Sequence, residues 1–167
     1  MPLYTLFIRA TVTDCTLAKS PNSALRVKLS CGSCREASAA FTVICDTDEK
    51  VPIPGSRGEA HLLQRCAVCR EQGNVTIVRM RCAALDASAL EAAGGAALAT
   101  LECRGCEPCA WQAGDGWEVA ALGEGGATWG GVSFDEEDSF NEFDERANVP
   151  VSVEGVSGEW RKASITF

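Results

Sequence analysis

The chain has 167 residues, 46% of them hydrophobic and 23% charged, with ten cysteines and a formal net charge of −8. That balance marks an ordinary globular protein. At this length folding buries roughly 68–70% of the chain's surface, so disulfide staples are not needed to rescue a small core. The acidic excess excludes a nucleic-acid partner, whose affinity would rest on Lys and Arg neutralising phosphates. Membrane insertion is excluded as well, because the most apolar stretch, 83–101, carries Asp86 and Glu91.

The opening residues lack a basic region followed by a long apolar run, since Arg9 interrupts them early. The expected location is therefore the cytoplasm, where reduced cysteine clusters are metal ligands or redox groups more often than disulfides. Charge is unevenly divided. Residues 1–81 hold 11 Lys and Arg against 7 Asp and Glu, and residues 82–167 hold 4 against 16. Two halves of opposite sign are expected to pack on each other and partly neutralise.

Short apolar and polar alternations recur while helical periodicity is nearly absent, which predicts an all-β chain of one domain spanning 1–167. Tyr4 to Thr13 is rich in β-branched and aromatic residues, and Leu25 to Cys31 alternates strictly; both are expected strands. Phe41 to Cys45 continues the pattern. Asp46 to Gly58 reads as a loop through its Pro and Gly content. Glu59 to Cys66 and Asn74 to Met80 form a second strand pair. Ala83 to Ala93 is the one helix-like stretch, ended by Gly94-Gly95. Ala96 to Cys103 and Trp117 to Leu122 are strands, Gly123 to Gly131 reads as turns, and Val149 to Val153 and Glu159 to Phe167 close the chain. No glycine cluster completes a phosphate-binding motif.

Cys31-Gly-Ser-Cys34 and Cys66-Ala-Val-Cys69 are two CxxC units with 31 residues between them, each flanked by strand-like sequence. Zn²⁺ takes four tetrahedral ligands at about 2.3 Å from thiolate sulfur, and each CxxC turn aims two sulfurs at one point. The long spacer is cheap, since loop closure costs only about 0.6 kcal/mol per doubling of length. A redox dithiol would instead sit where a strand meets a helix. The expected arrangement is two zinc knuckles joining antiparallel strands of the all-β chain, holding one structural Zn²⁺ at Cys31, Cys34, Cys66 and Cys69.

The paired knuckles, together with Gly55-Ser-Arg-Gly-Glu-Ala60, Glu102-Cys-Arg-Gly-x-Glu-Pro108 and Phe143-Asp-Glu-Arg146, resemble the eukaryotic CXXC-motif-containing zinc-binding protein family. The likeness runs nearly end to end. It implies a single-domain all-β sandwich with one Cys₄ zinc, and ligand status for the same four cysteines. The family is of uncharacterised function, so no activity is implied. One departure stands out: Cys106 and Cys109 are not part of the family-like pattern, and they make Cys103, Cys106 and Cys109 a CxxCxxC run. That run partly resembles an iron–sulfur ligand series, but it lacks a local fourth cysteine. The plainer reading makes these residues small buried hydrophobes. Glu102 and Glu107 outnumber Arg104 and so disfavour a reactive thiolate.

His61 is the only histidine and reads as an ordinary strand side chain. With it alone, and without GxSxG or HExxH, no hydrolytic constellation assembles. Residues 133–146 hold seven acids and one Arg, punctuated by Phe134, Phe140 and Phe143. Their aromatics either pin a solvated loop to the sandwich or anchor a basic protein partner along Asp135 to Glu145. The sequence thus predicts a monomeric, non-enzymatic zinc protein that acts through protein–protein interaction, with no catalytic residues. The alternative is a thiol redox or metal-transfer protein using Cys103, Cys106 and Cys109.

Overall fold

In β1 (Leu3–Thr13) the even-numbered side chains, Leu6, Ile8, Ala10 and Val12, turn inward, while Arg9, Thr11 and Thr13 meet solvent. Period-two burial of this kind fixes which face joins the core. The computed structural model describes residues 2–135 and 139–162. The chain continues through β2 (Cys15–Lys19), β3 (Leu25–Cys31), β4 (Thr42–Ile44), β5 (Val51–Pro52), β6 (Glu59–Ala60), β7 (Leu62–Arg65) and β8 (Gln72–Met80). A single helical turn α1 (Ala87–Leu90) precedes β9 (Ala96–Arg104), β10 (Cys106–Gln112), β11 (Trp117–Ala121), β12 (Thr128–Val132), β13 (Ser139–Asp144) and β14 (Val149–Lys162).

These strands build a six-stranded antiparallel sheet in the order β13-β14-β1-β9-β8-β7, with three-stranded sheets β10-β3-β4 and β12-β11-β2 and a small β5-β6 hairpin. Side chains from both three-stranded sheets and from β1, β8, β9 and β14 join one apolar core. The expected all-β, antiparallel sandwich is the observed architecture. Several strands of the basic first half pair with strands of the acidic second half: β1 with β9 and β14, β2 with β11, β3 with β10, and β8 with β9. Ion pairs Arg26–Asp135 (2.7 Å) and Arg35–Glu107 (3.8 Å) also join the halves.

The expected helix at Ala83 to Ala93 shrinks to one turn, N-capped by Asp86, whose Oδ1 accepts from the Ala89 N–H at 2.9 Å. Tertiary pairing overrides local preference here. Leu85 exchanges both backbone hydrogen bonds with Leu17 (2.8 and 2.9 Å), which holds the preceding residues extended. Five strands arise where none was expected: β2, β5, β10, β12 and β13. The two strands expected near the C-terminus are one, β14.

Lys19 is buried at the end of β2 without a carboxylate partner among the described residues. Its Nζ donates to the carbonyls of Asp115 (2.6 Å) and Ala113 (3.5 Å) and lies 4.8 Å from the centre of the Trp117 ring. Burial lowers it from 10.5 to about 8. The folded protein therefore sheds this proton before the unfolded chain does, and stability contributed by Lys19 rises with pH between about 8 and 10.5. The full span corresponds to about 3 kcal/mol. Lys19→Met is expected to be more stable than the parent at neutral pH, with an advantage that shrinks as pH rises through this window. Denaturant midpoints of the two proteins across the window check it; a constant difference would refute the assignment.

Candidate metal centre

The strict alternation of β3 carries Cys31 to the strand end, where the chain makes a tight turn and hands Cys34 back toward it. The Cys31 N–H donates to Glu36 O (2.9 Å), and the Arg35 N–H donates to Cys31 O (3.0 Å). The link between β7 and β8 repeats this turn. There the Cys66 N–H donates to Glu71 O (2.9 Å) and the Arg70 N–H to Cys66 O (3.0 Å). Arg35 (φ 67°) and Arg70 (φ 68°) occupy the same left-handed position, and the Ser33 and Val68 N–H groups each point at the first sulfur of their knuckle at 3.4 Å. The sequence signal for this equivalence was present and longer than CxxC: both turns read Cys-x-x-Cys-Arg-Glu.

The two turns face each other. Cys31 Sγ lies 3.5 Å from Cys69 Sγ, Cys34 Sγ lies 3.5 Å from Cys66 Sγ, and all four sulfurs fall within 4.8 Å of one another. Tetrahedral zinc with about 2.3 Å bonds to sulfur needs sulfurs about 3.8 Å apart, so this set fits the ion in donor type, number and spacing. It is the only group of three or more candidate metal ligands among the described residues. Four thiolates would close the shell, leaving no position for water or substrate.

Backbone N–H groups of Cys34 and Ser33 aimed at its sulfur hold the Cys31 thiol down at about 6, and those of Cys69 and Val68 lower Cys66. The second sulfur of each knuckle behaves oppositely. An N–H from Glu71 favours the Cys69 thiolate, but the hydrogen bond with Cys31 and desolvation outweigh it and push Cys69 up to about 12. At Cys34 the N–H from Glu36 is likewise outweighed, by desolvation and the bond to Cys66, so its thiol is raised. In each Cys31–Cys69 and Cys34–Cys66 contact the second cysteine of one knuckle holds its proton more firmly than the first cysteine of the other, and a metal ion would displace such protons.

What holds the knuckles in register is the β9–β10 corner, whose role the sequence reading did not anticipate. Gly32 donates its N–H to Gly105 O (3.0 Å), and a Cβ on Gly32 would lie 3.1 Å from that carbonyl. Gly105, at φ 72°, is pressed on its other side against the start of β8, where a Cβ would come within 2.8 Å of Gln72 O. No other residue fits between them. The Arg-Gly of the Glu102 to Pro108 segment therefore spaces one knuckle from the other.

The remaining sequence candidates separate. Cys103 and Cys106 are buried side by side at this corner, while Cys109 sits at the bulge of β10 and faces solvent. The Cys103 thiol, hydrogen-bonded to Cys106 and buried, is pushed up strongly; Cys106, on the accepting side of that bond, is lowered. The expectation of a disfavoured thiolate thus holds for Cys103 and fails for Cys106. His61 is no ligand in this arrangement, since its Nδ1 accepts the Ile77 N–H at 2.9 Å beside the bulge in β8.

In the acidic stretch Phe134 is buried against Trp117, and Phe140 packs edge-on against Trp129 with ring centres 5.5 Å apart. Phe143 is 49% exposed. Asp144 is buried, its Oδ1 accepting from the Arg146 and Ala147 N–H groups at the β13–β14 turn. Ser139–Asp144 of this stretch is therefore an edge strand instead of a loop; Glu136, Glu137 and Asp138 lie outside the described residues. No helix among the described residues is long and apolar enough to cross a membrane.

A family model for the eukaryotic CXXC motif containing zinc binding protein matches residues 5–161. Among curated relatives, the CXXC motif containing zinc binding protein of Xenopus laevis is 30% identical over 136 residues, covering 81% of this chain and 82% of that one. Its Homo sapiens counterpart is 26% identical over 159 residues, covering 94% and 96%. The crystal structure of C1orf123 superposes with a TM-score of 0.82 at 25% identity, covering 96% of this chain and 99% of the other. A hypothetical protein from Plasmodium falciparum shares the fold at a TM-score of 0.78 and 15% identity. The family and these relatives are named for zinc and not for a reaction. With a match over nearly the whole chain and four thiols positioned to hold a metal ion, the protein belongs to the eukaryotic CXXC motif containing zinc-binding family.

Proposed function

We propose that the chain is a monomeric, non-enzymatic cytoplasmic protein in which Cys31, Cys34, Cys66 and Cys69 hold one structural Zn²⁺, and that it acts by binding another protein. The observation that carries the metal assignment is the closure of four sulfurs within 4.8 Å by two knuckles from different sheets. Zinc there would clasp the sheet of β3 to the edge of the six-stranded sheet. A closed Cys₄ shell supplies fixed geometry and no reactive position. Protein purified from a reducing host should carry one zinc per chain, and Cys109→Ser should keep it. A second equivalent lost on replacing Cys103, Cys106 or Cys109 would favour the metal-transfer alternative.

The partner surface we assign to the acidic segment Asp135 to Glu145. In its favour, β13 is an outer strand of the large sheet, and Glu142, Phe143 and Glu145 stand exposed there. An edge strand offers unpaired backbone groups, acidic side chains choose a basic partner, and Phe143 adds an apolar contact. Such an association should weaken steeply with salt, since screening sets in at about 8 Å at physiological ionic strength. Fluorescence anisotropy with a Lys-rich extended peptide tests this. Replacing Asp135, Glu142 and Glu145 with Asn and Gln should abolish the salt-sensitive binding, and unchanged binding would refute the surface.

A further inference from the structure

Cys103 and Cys106 flank Arg104-Gly105 at the corner that spaces the knuckles, and the metal centre makes no use of them. Their side chains meet in a hydrogen bond, and the Cys106 thiol donates to the Asn74 carbonyl at 3.7 Å. Cys103 is fully enclosed. Cys106 forms part of the wall of a cavity of about 260 Å³ that opens beside the knuckles, lined also by Cys31 and Cys66 of the metal centre and by Leu29, Ala37 and Val68. That volume admits a small molecule such as hydrogen peroxide.

The backbone protects this opening. Gly73 lies so close that a Cβ there would sit 3.0 Å from both Cβ and Sγ of Cys106. Across the β3–β10 pair, Cys106 stands opposite Cys31, and the Gly32 N–H bond to Gly105 O makes Cys31 and Cys106 a non-hydrogen-bonded pair, the closer kind. A cavity thus leads to one sulfur of a buried thiol pair adjoining the metal centre, at the residue where this chain departs from the family-like segment.

We infer that Cys103 and Cys106 form a peroxide-oxidisable dithiol, with Cys106 the sulfur that meets peroxide through the cavity and is oxidised first, and Cys103 the resolving partner. The Cys106 sulfur takes one oxygen of hydrogen peroxide as the O–O bond breaks. Its thiol proton leaves with the other oxygen as water, and Cys106 becomes a sulfenic acid. The Cys103 sulfur then attacks Cys106, an S–S bond forms, and the hydroxyl departs with the Cys103 proton as a second water. The two thiols lose two electrons, peroxide gains two, and a dithiol reductant such as dithiothreitol reverses the change.

The test uses the full zinc-loaded chain, treated with one equivalent of hydrogen peroxide at neutral pH, blocked with N-ethylmaleimide and digested with trypsin. Cleavage after Arg104 separates the two cysteines unless a disulfide joins them. The expected result is a linked peptide pair, released by dithiothreitol, present in Cys109→Ser and absent in Cys106→Ser, with zinc still bound. In Cys103→Ser a dimedone adduct at Cys106 should replace the link. If Cys103 and Cys106 instead remain free for alkylation after unfolding while Cys109 or the zinc-site cysteines oxidise and zinc is released, the inference is overturned. The parent protein alone decides between these results, so a variant that fails to fold does not shield the proposal. A protein that binds no zinc yet forms the Cys103–Cys106 link would refute the metal assignment and leave this one standing.

Discussion

Cys31→Ser is expected to empty the zinc site. The remaining three sulfurs cannot close a tetrahedral thiolate shell, and serine oxygen is a poor substitute for a soft ligand. Losing even an outer-shell partner typically costs 10–100-fold in metal affinity, so removal of a ligand should cost more than about a hundredfold. Cys31 also ends β3 and receives the turn bond from Arg35, so the first knuckle should loosen with the metal. Elemental analysis of the purified variant checks the outcome. A Cys31→Ser chain that retains a full equivalent of zinc would sink the assignment of all four ligands.

Zinc affinity should climb steeply with pH near neutrality. Metal binding needs four thiolates, and in the empty site Cys31, at about 6, is already ionised at neutral pH. Cys69, at about 12, and the raised Cys34 are not. At least two protons must therefore leave as zinc enters. Each displaced proton makes the apparent affinity rise tenfold per pH unit, so a gain of about a hundredfold is expected between about pH 7 and 8. The sign follows from mass action: acid returns protons to Cys69 and Cys34 and expels the ion. Competition against a chelator of known affinity at several pH values measures the slope, and a flat profile would show that the resting site is already fully ionised.

The cluster of four cysteines was legible in the sequence because its chemistry is local. A CxxC turn aims two sulfurs inward wherever it folds, and Leu25 to Cys31 alternates so strictly that its strand is unambiguous. What escaped was governed by distant contacts. The segment of β10 reads Cys-Glu-Pro-Cys-Ala-Trp-Gln, where Pro108 suggests a break; the strand survives because a bulge follows that proline and β3 pairs on either side of it. In β12, Gly130 and Gly131 suggest a turn, yet the strand lies at a sheet edge, where weak intrinsic preference is tolerated. The strand β14 runs through Gly155 and Gly158, between the two closing stretches that read as separate strands. Gly158 leaves room for the Trp111 ring, 2.5 Å from where its Cβ would be. Nor could spacing show that Gly105 lies between Gly32 and Gln72, since that fit exists only once both knuckles are built.

The position of the second knuckle has a further consequence for how the molecule breathes. It joins β7 to β8, and β7 is a four-residue outer strand paired on one side only. Most of the buried core lies elsewhere, in β1, β3, β9, β11 and β14. Short edge elements with few buried groups are where native proteins open first. With zinc withdrawn, amide hydrogen exchange should therefore accelerate at Leu62 to Arg65 and along Glu71 to Asn74 while the centre of the sheet stays protected. The ion would then govern the local opening rate of one margin more than the survival of the fold, and metal supply would be read out as the order of that margin alone.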